Sequence, residues 1–271
     1  MFPDSIVKKV GDKEGKTLAV FAGIHGNEKA GVRALNNLLP KIKIDSGTVY
    51  FVYANPPAIE KGVRYVNKNL NRLFLKEVSG DEYEVKRAHE LMDILDECDA
   101  LLDLHSYNSP EGEAFAITES NGYDFVSRIN VPLVASGFGD LGYGSDDYMF
   151  RGGKIGVCVE CGTSNNYEVF TPFAERVIKQ FLSYFGAVDA GVSYDTSKQQ
   201  FFKVNRLLKK QTEDFRFTRE FRDFELLPTD EPFIIDGDAA LTASVNEAIV
   251  FPRAEVPLGE EVCIIGEFFE K

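Results

Sequence analysis

The stretch Thr17 to Glu28, TLAVFAGIHGNE, is an apolar run that halts at a glycine and is followed by a histidine and, three residues on, a glutamate. Leu18 to Phe21 is short, hydrophobic and bounded by Gly23, which is the pattern of a buried strand. His25 and Glu28 then fall on the turn beyond its carboxyl end, where open α/β sheets collect their ligands. Imidazole nitrogen and carboxylate oxygen both bind zinc, and a hydrolytic zinc site takes three protein ligands and a water. This stretch holds two such ligands, so a third has to come from elsewhere. A histidine on such a turn also serves as an ordinary hydrogen-bonded loop residue, and its company decides between the two readings.

The chain has three histidines. His105 repeats the arrangement of His25: it closes the apolar run ALLDLH, residues 100–105, and leads into the polar segment SYNSPEGE. It supplies the third metal ligand. His89 differs, because it stands in a helical pattern among Lys86, Arg87 and Glu90 and reads as a solvated surface residue. A third apolar run, IGVCVEC at 155–161, carries Glu160 near its end. A carboxylate there is costly to bury without a function or a partner, so Glu160 is either the base for a metal-activated water or an ion-paired structural residue. Asp103, two residues before His105 on the same strand face, either supports that histidine from behind or pairs with a loop. Cys158 and Cys161 have C-x-x-C spacing, but without a second ligand pair or an intervening turn they read as buried structural thiols.

Outward from the opening stretch, strands alternate with helices. Residues 28–39 have helical spacing of Ala30, Val32, Ala34, Leu35 and Leu38 and stop before Pro40; 48–54, TVYFVYA, reads as a strand that runs through Asn55-Pro56-Pro57 into a loop reaching Arg72. Residues 81–97 form an amphipathic helix with Val85, Ala88, Leu91, Met92 and Leu95 inward and charges on the other face. Short strands follow at 114–118 and 131–136 with a helix between them, and a helix over 172–185 closes the unit. The pattern from 17 to 186 is that of an α/β sheet covered on both faces. Residues 187–199 are small and polar, a linker, and from about 196 to 271 short runs such as FFKVNRLL and EVCIIGEFF are separated by turn signals at Pro228, Pro232, Asp236-Gly237 and Pro257-Leu258-Gly259. Two domains are expected: a catalytic one over 1–190 and a small β domain over 196–271.

The formal charge of −13 across 271 residues argues against nucleic acid as a partner, since binding phosphate backbones calls for clustered excess Lys and Arg. No segment approaches the ~20 apolar residues that span a bilayer, and the first residues lack the core of a signal peptide, so a cytoplasmic, membrane-free protein is expected. Four cysteines with no regular framework fit a reducing compartment. Against the acidic whole, the loop 61–72, KGVRYVNKNLNR, carries Lys61, Arg64, Lys68 and Arg72 with no acidic residue among them. Arginine grips carboxylates through a planar fork, and a guanidinium beside a metal stabilises an oxyanion; a solvated basic loop is the plainer alternative.

HGNE at His25 to Glu28, NLNR ending in Asn71 and Arg72, Asp103-Leu-His105 and Glu160-Cys-Gly, in this order, resemble the succinylglutamate desuccinylase and aspartoacylase family, zinc hydrolases related to the metallocarboxypeptidases. The resemblance covers roughly 17–186. It implies a mixed central sheet of the zinc carboxypeptidase kind and a small C-terminal β domain that rims the site entrance. It further implies one Zn2+ per chain held by His25, Glu28 and His105. Arg64 would polarise the scissile carbonyl, Asn71 and Arg72 would hold a substrate carboxylate, and Glu160 would act as base and then acid. Arg151 stands near the position of a further substrate-binding arginine, though its spacing to Glu160 differs from the family's. The chain departs from the family in lacking a tyrosine after Tyr194, and in the segments CGTSNNYE and SYNSPEGE that would shape the acyl pocket.

The implied reaction is hydrolysis of the amide bond of a small anionic N-acyl amino acid. A zinc carboxypeptidase acting on short peptides would use every residue named so far, and a metal-binding protein without turnover would use the three ligands alone. The short chain and small β companion favour the deacylase.

Overall fold

In a computed structural model, residues 5–109, 111–140, 144–189 and 199–270 are described. The chain divides into two units, 1–134 with 138–199, and 135–137 with 200–271. The linker read over 187–199 falls largely outside the described residues.

The first unit runs β1 (Ile6–Val10), β2 (Lys13–Ala22), α1 (Lys29–Leu38), β3 (Ser46–Tyr53), α2 (Pro56–Lys61), α3 (Tyr83–Glu97), β4 (Ala100–Tyr107), β5 (Phe115–Thr118), α4 (Tyr123–Val126), β6 (Leu133–Ser136), α5 (Ser145–Arg151), β7 (Ile155–Thr163) and α6 (Tyr167–Tyr184). The strand order is β1-β3-β2-β4-β7-β5-β6. β3, β2, β4 and β7 are mutually parallel, whereas β1 and β5 pair antiparallel to β3 and β7, so the sheet is mixed, as the resemblance implied.

Residue parity puts helices on both faces. Ala19, Phe21, Tyr50, Val52 and Leu101 point to one side and pack with Val85, Leu91, Met92 and Leu95 of α3 and Met149 of α5. Ala22 and Leu104, of the other parity, meet α1, and a Cβ on Gly31 would approach the Leu104 Cβ to 2.7 Å. Parallel strands buried on both faces need continuous apolar runs, and Leu18 to Ala22 are fully buried.

Four local readings change. The loop expected from Asn55 to Arg72 opens with helix α2, because Asn55 Oδ1 accepts from the Ala58 N–H at 3.4 Å, proline occupies the first turn, and Gly62 ends the helix at φ 64°. A short 3₁₀ turn at Leu70–Arg72 ends the segment. The helix expected to begin at Pro172 begins at Tyr167, with the proline inside it. In α3 the charges do not all face outward, since Glu84 and Arg87 are buried. His89 is half-buried rather than solvated, with Nε2 2.7 Å from the Val78 carbonyl oxygen.

The second unit contains β8 (Gln200–Lys209), β9 (Arg216–Phe217), β10 (Glu225–Leu226), β11 (Ile234–Asp236), β12 (Ala239–Leu241), β13 (Glu247–Val250) and β14 (Glu261–Phe269). β8 and β14 are long antiparallel partners, β13 and β10 continue from β14, and β12-β11-β9 make a separate sheet. Phe215, Phe233, Ile249, Val262 and Ile265 form the core of this unit. All four cysteines are free and buried.

Candidate metal centre

The turn after β2 is shaped by two glycines. Gly23 lies at φ 74°, where a side chain is strained. Gly26 abuts α2 so closely that a Cβ would sit 2.0 Å from the Ala58 carbonyl carbon, and its N–H donates to the Arg64 carbonyl at 3.2 Å. The turn is thereby pinned to the basic loop, and His25 and Glu28 point inward, 3% and 4% exposed.

Glu28 is the hub. Its Oε1 lies 2.7 Å from His25 Nδ1 and accepts from Arg64 Nη1 at 3.3 Å. Its Oε2 lies 3.0 Å from His105 Nδ1 and accepts from the Ser106 N–H at 3.1 Å. The other nitrogen of each ring is also engaged: His25 Nε2 donates to Asn69 Oδ1 at 3.0 Å, and His105 Nε2 to Asp103 Oδ2 at 3.2 Å. The Ser145 hydroxyl of α5 donates to the same Asp103 oxygen. Burial would raise the Glu28 pKa, but the two imidazoles outweigh it and hold the carboxyl well below its usual range. His25 moves down through burial; for His105 burial pulls the same way, and Asp103 and Glu28 overcome it and raise the pKa well above the ordinary value.

Glu160 stands beside His105 in the parallel register of β4 and β7. It is 8% exposed, its Oε2 is buried with no hydrogen-bond partner, and burial pushes its pKa up to about 8. The ion-paired reading of Glu160 therefore fails: among the described residues it makes no salt bridge.

The basic loop divides. Arg64 reaches the cluster directly through Glu28, and Asn69 reaches it through His25. Asn69 Oδ1 also accepts from the Asn71 N–H at 3.1 Å, while Arg72 Nη1 donates to the Asn71 carbonyl at 2.9 Å. Asn71 Oδ1 is buried without a partner. Arg151 Nη2 donates to the Phe74 carbonyl at 3.0 Å and makes none of the hydrogen bonds of the histidine–glutamate cluster. Cys158 and Cys161 are buried in β7, and burial raises both thiols far above the usual range, which suits packed thiols rather than a knuckle. Local pattern marks neither Asn69 nor Ser145 as a site residue: Asn69 merely opens NLNR, and Ser145 stands in no motif.

The donor set fits a divalent metal. One ligand atom each from His25, Glu28 and His105 lie within 4.8 Å of one another, all buried, and the Nε2–H···O bonds to Asn69 and Asp103 leave Nδ1 of both rings as the metal-facing nitrogen.

Residues 14–182 match the Succinylglutamate desuccinylase/Aspartoacylase catalytic domain, and 197–266 match the AstE/AspA barrel-sandwich hybrid domain. The chain belongs to the succinylglutamate desuccinylase/aspartoacylase family. Among its relatives, the succinylglutamate desuccinylase of Shewanella baltica is 26% identical over 302 aligned residues, covering 96% of this chain and 85% of the relative. The structure of succinylglutamate desuccinylase from Vibrio cholerae superposes with a TM-score of 0.81 at 20% identity, over 97% of this chain and 85% of that one. The product-bound ectoine utilization protein EutE (DoeB) from Ruegeria pomeroyi gives a TM-score of 0.73 at 17% identity, over 97% and 88%. The family fold is therefore shared along nearly the whole chain. Among the described residues no helix is long and apolar enough to cross a membrane.

Proposed function

We propose that this chain is a zinc-dependent deacylase that hydrolyses the amide bond of a small, anionic N-acyl amino acid. The observation that carries the reading is the buried His25, Glu28, His105 triad with the partnerless Glu160 carboxyl on the adjacent strand. His25, Glu28 and His105 would hold the ion, which when bound acidifies a water and polarises an acyl carbonyl.

The remaining steps belong to the chain's own side chains. Glu160, already shifted toward neutral pH by burial, takes a proton from the attacking water and returns it to the departing amine. Arg64, which spans from the loop to Glu28, donates to the oxygen that gains charge as the acyl carbon becomes tetrahedral. Asn71 and Arg72 bind the substrate carboxylate, Arg72 as a planar fork and Asn71 by donating from its side-chain Nδ2. Arg151, which donates to the Phe74 carbonyl, would add positive charge for binding an anionic substrate. The names of the relatives, succinylglutamate desuccinylases, support an acyl amino acid as substrate class.

The test is Glu160→Gln assayed with N-succinyl and N-acetyl amino acids beside short peptides. The variant is expected to bind metal as wild type does and to lose roughly 10²–10⁴-fold in kcat. Unchanged turnover would remove Glu160 from the reaction, and faster cleavage of peptides than of acyl amino acids would make the protein a carboxypeptidase.

A further inference from the structure

Helix α3 turns two charged side chains inward that the proposed chemistry does not use. Glu84 is fully buried; its Oε1 accepts from the backbone N–H groups of Val66 at 2.8 Å and Asn67 at 3.2 Å, with Asn55 Nδ2 at 3.5 Å. Burial alone would raise its pKa, yet those amides outweigh it and lower it, so the group is a carboxylate in the folded chain. One turn on, Arg87 donates to the carbonyls of Tyr53 and Ala54 at 2.9 Å, fixing the end of β3 from which the loop departs.

Withdrawing a carboxylate from water to satisfy two consecutive loop amides is costly and makes sense where the loop's shape matters. Val66 and Asn67 lie midway along it. Two residues before Val66 is Arg64, which reaches Glu28, and two residues after Asn67 is Asn69, which reaches His25 and the Asn71 amide. A second tether, Lys68 Nζ to Glu82 Oε1 at 2.9 Å, is solvent-exposed and contributes little.

We propose that Glu84 is the positioning residue of the loop 64–72, holding the segment at its centre so that Arg64 is delivered to the reacting carbonyl and Asn71 with Arg72 to the substrate carboxylate. This rests on the roles assigned to Arg64 and Arg72 above. Neither Glu84 oxygen contacts the metal ligands, and its removal reaches them only through the neutral Asn69 support of His25, so it acts chiefly on substrate.

The experiment measures kcat, KM and metal content of the purified holoenzyme with N-succinyl-glutamate for wild type, Glu84→Ala, Glu84→Gln and Arg72→Ala, with amide hydrogen exchange across residues 64–72. Glu84→Ala is expected to keep its metal, lose roughly 10–100-fold in kcat/KM and expose the Val66 and Asn67 amides to fast exchange. Glu84→Gln retains an acceptor of the same reach and should recover most of the activity and the slow exchange. If Glu84→Ala does not fold, Glu84→Asn, which withdraws the acceptor by one methylene, takes its place. A folded Ala or Asn variant with wild-type kcat/KM beside an impaired Arg72→Ala overturns the proposal alone, as does a Gln variant no better than Ala. If Arg72→Ala itself hydrolyses as wild type does, the reading of the site falls and this inference falls with it.

Discussion

The ends of β2 and β4 each bring a histidine to Glu28, and they are built differently. His25 and His105 are equally buried at 3% exposure, with ring centroids 5.1 Å apart, and each turns Nδ1 to the same carboxylate. His105 is held within its own strand by a charge, the Asp103 carboxylate, which α5 in turn secures through Ser145. His25 sits on a turn and is held by a neutral amide, Asn69, borrowed from the loop. Their proton affinities part accordingly: burial prevails at His25 and lowers its pKa, while at His105 two carboxylates outweigh burial. The β4 end draws on its own strand and α5, and the β2 end answers to the loop that carries Arg64 and Arg72.

The sharpest way to break this comparison is to delete a ligand. His105→Ala should leave a folded protein without bound metal and without measurable turnover, read by elemental analysis and assay. Next in size is Asp103→Ala, which removes the charged support of His105; metal affinity should fall roughly 10–100-fold in competition with a chelator, with KM little changed in the fraction that is loaded. Asn69→Ala should cost less metal affinity than Asp103→Ala, because a neutral acceptor is lost, but should raise KM, because Asn69 Oδ1 also holds the Asn71 amide. If Asn69→Ala costs as much metal affinity as Asp103→Ala, the two ends are equivalent and the contrast is wrong.

The smallest effect is on stability. In the metal-free protein the Glu160 pKa is raised from 4.5 to about 8, so between those values the folded chain binds a proton that the unfolded chain releases. Its contribution to stability is least unfavourable below the lower value and declines as pH rises through the upper one. Denaturation of chelator-treated protein at about pH 5 and about pH 8.5 should show a decline that Glu160→Gln reduces; an equal slope in both proteins would mean that Glu160 titrates normally.

Local pattern was enough to place His25, Glu28, His105 and Glu160 at or just beyond the carboxyl ends of buried strands, because each follows or interrupts an apolar run. The same logic made the order of strands and helices in the first unit readable. It does not reveal α2, where Asn55-Pro56-Pro57 opens a helix with the same residues that open a turn, nor the short α5, and it starts α6 at Pro172 where the helix begins at Tyr167.

What the linear chain determined by itself is the set of donors, the acidic surface with one basic loop in it, and the alternation that builds a sheet with helices on both faces. What only the tertiary structure decided is who supports whom: Asn69 under His25, Ser145 behind Asp103, Glu84 beneath the loop. Glu84 and Arg87 flank the apolar stripe of α3, and helical periodicity alone sends such residues to solvent. They turn inward because the backbone N–H groups of Val66 and Asn67 and the carbonyls of Tyr53 and Ala54 lie opposite them. Hydrogen-bond demand of that kind arises only once distant segments have been packed side by side.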